Sequence, residues 1–166
     1  EAIPDNVLVI SYKEEEAAFL AGYIAGKMTK SNVIGFITGR NDQISERYYF
    51  GYKAGVRSAN PNCELMKGIA ATSTNTNRVA TMTQRMLESK ADVIFHIAGI
   101  AGNGMIKAVD KAGKYAIGSM VDQRLIAPNS VLSSVVKNND IVVFELVTQY
   151  KEGILTLGEK TRYGLA

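Results

Sequence analysis

Short apolar runs alternate with amphipathic stretches along this chain, and the alternation is regular. A continuous apolar run predicts a buried strand, whereas apolar residues three and four positions apart predict a helix that buries one face. The predicted strands are 7–10, 33–37, 64–70, 91–96, 115–118 and 131–136. The predicted helices are 14–28, 45–59, 77–89, 104–112 and 139–155.

This order of elements indicates the fold class. Short apolar strands joined through helices are typical of a parallel sheet with helices on both faces, so we expect an α/β fold. Gly39, Gly113 and the segment 60–62 stand where the predicted elements end. The first strand has no partner strand before it, and the chain ends soon after a long helix. We therefore expect a piece of a longer protein.

Composition narrows the class of protein. The chain has 166 residues, of which 46% are hydrophobic and 21% are charged, which is the balance of an ordinary globular domain. The net charge is +3, but the lysines and arginines are interleaved with acidic residues. Such scattered charge does not form the basic stripe of a nucleic-acid-binding surface, so we expect no nucleic-acid partner.

Few residues suggest catalysis. His96 is the single histidine, so a metal site would lack further histidine partners, and we interpret His96 as a satisfied core or strand-end residue. Three acidic residues, 14–16, open a helix, where the helix dipole explains them. We expect no catalytic residues, no metal, no cofactor and no enzymatic activity.

A glycine-rich segment, 98–104, follows a strand and opens a helix. In an open parallel sheet this position lies at the carboxyl end of the strands, where ligands bind. The spacing differs from the dinucleotide fingerprint. A ligand-facing loop, a plain tight turn and a phosphate site all remain open on this pattern.

Four aromatic residues lie within five positions of a predicted helix: Tyr48, Tyr49, Phe50 and Tyr52. A helix has one inward stripe, so core packing accounts for two of them. At least one of Tyr48 and Tyr49 then points elsewhere, and an aromatic face in a cleft would stack on a planar ligand.

Several segments resemble one known family. They are 14–25, 33–39, 51–56, 91–96, 102–104, 114–118 and 134–138, with Gly99, Asp122 and Gln123. Together they resemble the basic membrane protein family, bacterial lipoproteins of the type I periplasmic-binding fold that include purine nucleoside receptors. The likeness spans nearly the whole chain.

The resemblance implies two α/β lobes with a ligand between them. Residues 1–31 would be the last strand and helix of the N-terminal lobe, and 32–136 a nearly complete C-terminal lobe. Residues 137–166 would return to the N-terminal lobe, which is only partly present.

The resemblance also implies a ligand site. Tyr48 falls where members place an aromatic that stacks on the base, and Gly99 lies in the pocket loop. Lys137 occupies the crossover position that donates to the ligand. Met120 stands where nucleoside-binding members carry an aspartate for the ribose hydroxyls, and Asp122 follows two residues later.

The implied function is capture of a small molecule, a purine nucleoside, for the permease of an ABC importer. The protein would be anchored to the cell membrane by an N-terminal lipid outside this chain, facing the periplasm or the cell exterior. The main alternative is a surface-exposed adhesin that keeps the fold and contacts host extracellular matrix. An enzyme or a sugar-responsive repressor domain is the remaining class.

Overall fold

A computed structural model describes residues 2–165 of the chain. The strands are β1 (Val9–Tyr12), β2 (Val33–Thr38), β3 (Glu64–Ile69), β4 (Val93–Ile97), β5 (Tyr115–Met120), β6 (Val131–Val136) and β7 (Lys160–Tyr163). The helices are α1 (Glu14–Met28), α2 (Gln43–Ala59), α3 (Thr76–Glu88), α4 (Gly102–Lys111) and α5 (Asn139–Lys151). The chain divides into a larger unit, Glu14–Val136, and a smaller unit formed by residues 2–13 and 137–165.

The larger unit contains a five-stranded parallel sheet in the order β3-β2-β4-β5-β6. The α/β fold class expected from the sequence is confirmed. β3 lies at one edge, and half of its residues are exposed, which explains its weak apolar signal. β4 lies near the middle and is almost entirely buried.

Successive residues of a strand face opposite sides of the sheet, and both sides are covered. Phe36 and Phe95 pack on one side against α1 and α2. Ile37 and Ile94 pack on the other side against α3 and α4. The two faces therefore carry separate hydrophobic cores, as a parallel sheet requires.

Helix α1 belongs to the larger unit, which corrects the boundary expected after residue 31. A methyl group added at Gly22 would overlap the backbone of α2 at Tyr52, and one at Gly55 would overlap the backbone of α1 at Phe19. The two helix backbones thus touch where glycines leave room. The loop after α1 is tied to β4 because Asp92 accepts hydrogen bonds from the backbone N–H groups of Lys30 and Ser31, at 2.7 and 2.8 Å.

The smaller unit pairs β1 with β7 in parallel, with Val9 opposite Lys160. β1 begins two residues later than predicted because a turn precedes it, closed by a 3.0 Å hydrogen bond from the Val7 N–H to the Pro4 carbonyl. The sequence did not predict β7, whose residues include no apolar run. α5 ends at Lys151, four residues before the predicted end.

Within the described residues, no helix is both long enough and apolar enough to span a membrane.

Candidate functional site

A cavity of about 360 Å³ opens at the carboxyl ends of β4 and β5. It is lined by the turn before α4 and the first turn of α4, with Gly99 and Asn103, and by the end of β5 and the loop after it, with Ser119, Met120 and Asp122. The carboxyl ends of parallel strands are where ligands bind in open α/β sheets. The larger unit therefore places a cavity where this class of fold holds its ligands.

Gly99 begins the 3-10 turn Gly99–Ala101 that leads into α4. Its φ of +57° lies in the left-handed region, which residues with a side chain rarely adopt. The turn is held by a 2.9 Å hydrogen bond from the Ala101 N–H to the Ser73 carbonyl. The glycine thus lets the chain turn sharply at the wall of the cavity, which fits both the ligand-facing loop and the plain tight turn interpretations.

Met120 has a left-handed backbone with φ of +72°. For a residue with an unbranched apolar side chain this conformation is unfavourable by about 1–2 kcal/mol, whereas asparagine and aspartate tolerate it better. The side chain is 49% exposed at the cavity. Within residues 2–165, a carboxylate at this position would therefore remain in contact with solvent.

Asp122 lies at the cavity rim, and its carboxylate is already engaged. One oxygen accepts the Arg124 backbone N–H at 3.0 Å, and the other pairs with the Arg124 guanidinium at 2.9 Å. Both side chains are more than half exposed. Any role of Asp122 toward a ligand would have to compete with this pair.

His96 is fully buried on the face of β4 that packs against α4. The ring hydrogen-bonds to Gln123 at 2.8 Å and to the Ala98 backbone N–H at 3.2 Å, so both of its nitrogens are satisfied. Burial lowers its pKa to about 4, although the hydrogen bond with Gln123 acts in the opposite direction. The prediction of a satisfied core histidine is confirmed.

Tyr48 lies in the core rather than at an open surface. Its side chain is 4% exposed, and its ring packs edge-on against Phe95 with centroids 6.3 Å apart. Burial, together with the charge of Glu14, raises its pKa to about 12. The expectation that Tyr48 presents its face to a ligand is therefore corrected. Of the other aromatic residues of α2, Tyr49 is half-buried against Phe36, with ring centroids 5.6 Å apart, and Phe50 is 60% exposed.

Lys137 lies in the smaller unit. Its amine is 4.7 Å from the centre of the Tyr12 ring, a cation–π distance. The structure thus brings together three of the five predicted site residues: Gly99, Met120 and Asp122. Tyr48 lies elsewhere in the larger unit.

The sequence did not select two polar residues of the cavity wall as site residues. Asn103 lies in the first turn of α4, and Ser119 precedes Met120 on β5. Gln123, which lines the cavity beside them, entered only through the family resemblance. All three lie within four residues of a predicted site residue, which was the available signal.

The family is decided by a match over the whole chain. The model of the family described as "ABC transporter substrate-binding protein PnrA-like" matches residues 1–166. The chain belongs to this family. PnrA-like proteins are solute-binding components of ABC transport and not enzymes.

Curated relatives support the assignment. The chain is 37% identical over 166 residues to basic membrane protein D of Borreliella burgdorferi strain JD1, covering 98% of this chain and 49% of the relative. It is 40% identical over 151 residues to basic membrane protein C of strain N40, covering 89% of this chain and 43% of that protein. The chain thus spans about half the length of the curated relatives it matches.

A solved structure supports the fold of this PnrA-like chain. A crystal structure of solute-binding proteins of an ABC transporter system from Aeropyrum pernix K1 superimposes with a TM-score of 0.85 at 23% identity. The match covers 96% of this chain and 48% of that one. At this identity the likeness establishes the fold alone.

Among the described residues, no group of three or more histidine, cysteine, aspartate and glutamate side chains is placed to hold a metal ion. A solute in this cavity would meet mainly backbone groups, side-chain amides and hydroxyls, and apolar surface.

Proposed function

We propose that the complete protein is an extracytoplasmic receptor that captures a purine nucleoside for an ABC importer. The observation that carries this proposal is the cavity at the ends of β4 and β5, which gathers Gly99, Met120 and Asp122. Membership of the PnrA-like family supports the transport role. The nucleoside rests on the family resemblance, and a cavity of about 360 Å³ lies within the size range of small-molecule pockets.

We propose that the larger unit contributes the C-terminal lobe and the smaller unit part of the N-terminal lobe. Within the described residues, β1 and β7 form a two-stranded sheet. Such a pair is marginally stable by itself in water. α5 exposes apolar side chains, among them Phe144 and Tyr150, at 74% and 67%. These features suit a unit that is completed by further chain.

In this proposal the backbone at Gly99 and the side chain of Met120 form one wall of the ligand site. Asp122 contributes from the rim when a ligand hydroxyl displaces Arg124. Lys137, which lies in the smaller unit, is given a donor role by the family resemblance alone. Tyr48 is not assigned a contact, because its buried ring supports Phe95 instead.

We further propose an N-terminal lipid anchor outside the described residues, and a permease as the protein partner. Both follow from the family resemblance. Binding to host extracellular matrix, the alternative role, would not require a solute in the cavity.

The test is calorimetric titration of adenosine, guanosine and inosine into the complete protein and its Met120→Asp variant. We expect the wild type to bind at least one nucleoside. The carboxylate should tighten ribose binding by one to two decades, because a hydrogen bond to a charged group contributes about 1.5–3 kcal/mol.

Ile44→Asp is the matched control, since it adds the same charge at an apolar position of similar exposure, 46%, that does not line the cavity. It should leave the affinity nearly unchanged. Absence of nucleoside binding to both the wild type and Met120→Asp would refute the nucleoside part of the proposal and favour a macromolecular contact role.

A further inference from the structure

A chain of hydrogen bonds runs from the core to the cavity, and it starts at His96. The Ala98 backbone N–H donates to His96 Nδ1 at 3.2 Å, so Nδ1 is an acceptor. A neutral imidazole carries one proton, which must then reside on Nε2. Complete burial keeps the ring neutral by lowering its pKa to about 4.

The next member is Gln123. Its Oε1 accepts from His96 Nε2 at 2.8 Å and from the Ser119 backbone N–H at 2.9 Å. Two donors on one oxygen fix the orientation of the amide, because a flipped amide would place N–H groups against N–H groups. Gln123 Nε2 therefore points the other way and donates to Asn103 Oδ1 at 3.0 Å.

Asn103 is the last member of this series of hydrogen bonds, and it lines the cavity. Its oxygen is held toward Gln123 Nε2, so the Nδ2 group is turned the other way and is the donor available to a solute. Ser119 lines the same cavity, and its backbone N–H holds Gln123 Oε1 in place.

We propose that His96 and Gln123 are positioning residues that fix which end of the Asn103 amide faces the cavity, so that Asn103 offers its N–H₂ to a solute. The site then selects a neutral solute that presents an acceptor oxygen or nitrogen to Asn103. Apolar surface from Ile100 and Met120 lines the same cavity. This inference deepens the proposed solute-binding function and rests on it.

The key variant is Gln123→Glu, which keeps shape and acceptors but removes the donor. The carboxylate still accepts from His96 and Ser119, yet it cannot donate to Asn103. Asn103 would then turn its N–H₂ toward the carboxylate and present its carbonyl oxygen to the cavity. The group that Asn103 presents to the cavity should change from a hydrogen-bond donor to an acceptor. Solutes that place an acceptor against Asn103 should then lose affinity relative to solutes that place a donor there.

Adenosine and inosine are suitable probes because they exchange donor and acceptor at one edge of the base. We expect the ratio of their dissociation constants, measured by calorimetry, to change at least tenfold in Gln123→Glu. Gln84→Glu adds the same charge on the exposed face of α3 and should leave the ratio unchanged. Equal loss of affinity for both probes in Gln123→Glu would overturn the proposal.

His96 is tested by rescue. His96→Leu removes the donor and should change the ratio, whereas His96→Gln supplies an amide N–H near the position of Nε2 and should preserve it. Equal ratios in the two variants would contradict a positioning role.

Nitrogen NMR of the ligand-free protein, with the His96 signal assigned by its loss in His96→Leu, separates this inference from the proposed function. The expected tautomer carries its proton on Nε2. If neither probe binds the wild type, the nucleoside proposal is wrong, and the tautomer alone tests the hydrogen bonds from His96 through Gln123 to Asn103. A proton on Nδ1 would overturn this inference.

Discussion

The α1–α2 interface and the cavity at the ends of β4 and β5 both depend on glycine, for different reasons. In the interface, Gly22 and Gly55 let two helix backbones touch. At the cavity, a methyl group at Gly102 would overlap the His96 ring, and one at Gly118 would lie 2.7 Å from Gln123 Oε1. The first region uses glycine for backbone contact, and the second uses it to make room for polar side chains.

The two regions also differ in backbone strain. The interface joins closely packed backbones and carries an ion pair at 3.0 Å between the buried Glu14 carboxylate and the half-buried Arg47 side chain. The cavity edge holds a left-handed methionine, Met120. Backbone strain concentrates at functional sites, because selection there favours binding over stability. We therefore expect the interface to contribute mainly to stability, whereas the cavity edge is our proposed ligand site.

The largest expected effect breaks the interface. Gly55→Ala places a methyl group on the backbone of α1 at Phe19, where no flexible side chain can move aside. The helices must separate, so we expect a loss of about 3–5 kcal/mol in the free energy of unfolding, measured by urea denaturation.

Gly113→Ala is the control for this change. Gly113 has φ of +62°, but an added methyl group meets no atom within 4 Å. The loss should be about 1 kcal/mol, from backbone strain alone. Similar losses at Gly55 and Gly113 would show that helix contact is not the decisive factor.

The second prediction concerns pH. The pKa of His96 is lowered from 6.5 to about 4 by burial, so between these values the unfolded chain binds a proton that the folded chain does not. Stability is then constant above pH 6.5 and falls as the pH decreases toward 4. We expect a loss of about 2 kcal/mol between pH 7.5 and pH 5.

Urea denaturation at both pH values measures this loss, and His96→Gln is the comparison. The variant should be nearly insensitive to pH in this window, because Asp42 and Asp92, whose pKa values are lowered, titrate below it. An identical pH dependence in both proteins would show that His96 is not the group responsible.

Much of the fold followed from the sequence, because β2 and β4 are continuous apolar runs that only a covered parallel sheet explains. β7 did not, since its sequence Lys-Thr-Arg-Tyr carries no such run and its pairing with β1 is a long-range property. α1 was assigned to the wrong unit because its contact with α2 depends on glycines, which give no periodic apolar signal.

The site was predictable where it depends on chain position. Gly99 follows β4 and Met120 is the last residue of β5, and the carboxyl ends of parallel strands meet at one edge of the sheet. Tyr48 was not predictable, because spacing identifies several aromatics on α2 without deciding which one faces the sheet. The direction of the hydrogen bonds through Gln123 requires coordinates, since an amide side chain both donates and accepts.

The third prediction sharpens the contrast by relieving strain at the cavity. Met120→Asn keeps the left-handed backbone with a residue that tolerates it, so we expect a gain of about 0.5–1 kcal/mol in the free energy of unfolding. Val121→Asn, one residue on and also exposed, should change stability by less than about 0.5 kcal/mol. A gain at both positions would indicate a general surface effect rather than backbone strain.

The smallest effect is expected at the cavity rim. Arg124→Ala removes the 2.9 Å ion pair with Asp122, in which both side chains are more than half exposed. Such pairs contribute little, so the free energy of unfolding should change by less than about 0.5 kcal/mol. Arg40→Ala breaks a pair of the same sequence spacing with Asp42, remote in sequence from the cavity, and should behave alike. If Arg124→Ala alone lowered stability by more than about 1 kcal/mol in urea denaturation, the rim would be a structural element like the α1–α2 interface. A negligible loss would mean that the Asp122 carboxylate can be separated from Arg124 with little change in stability. A ligand hydroxyl could then replace Arg124 as its hydrogen-bond partner.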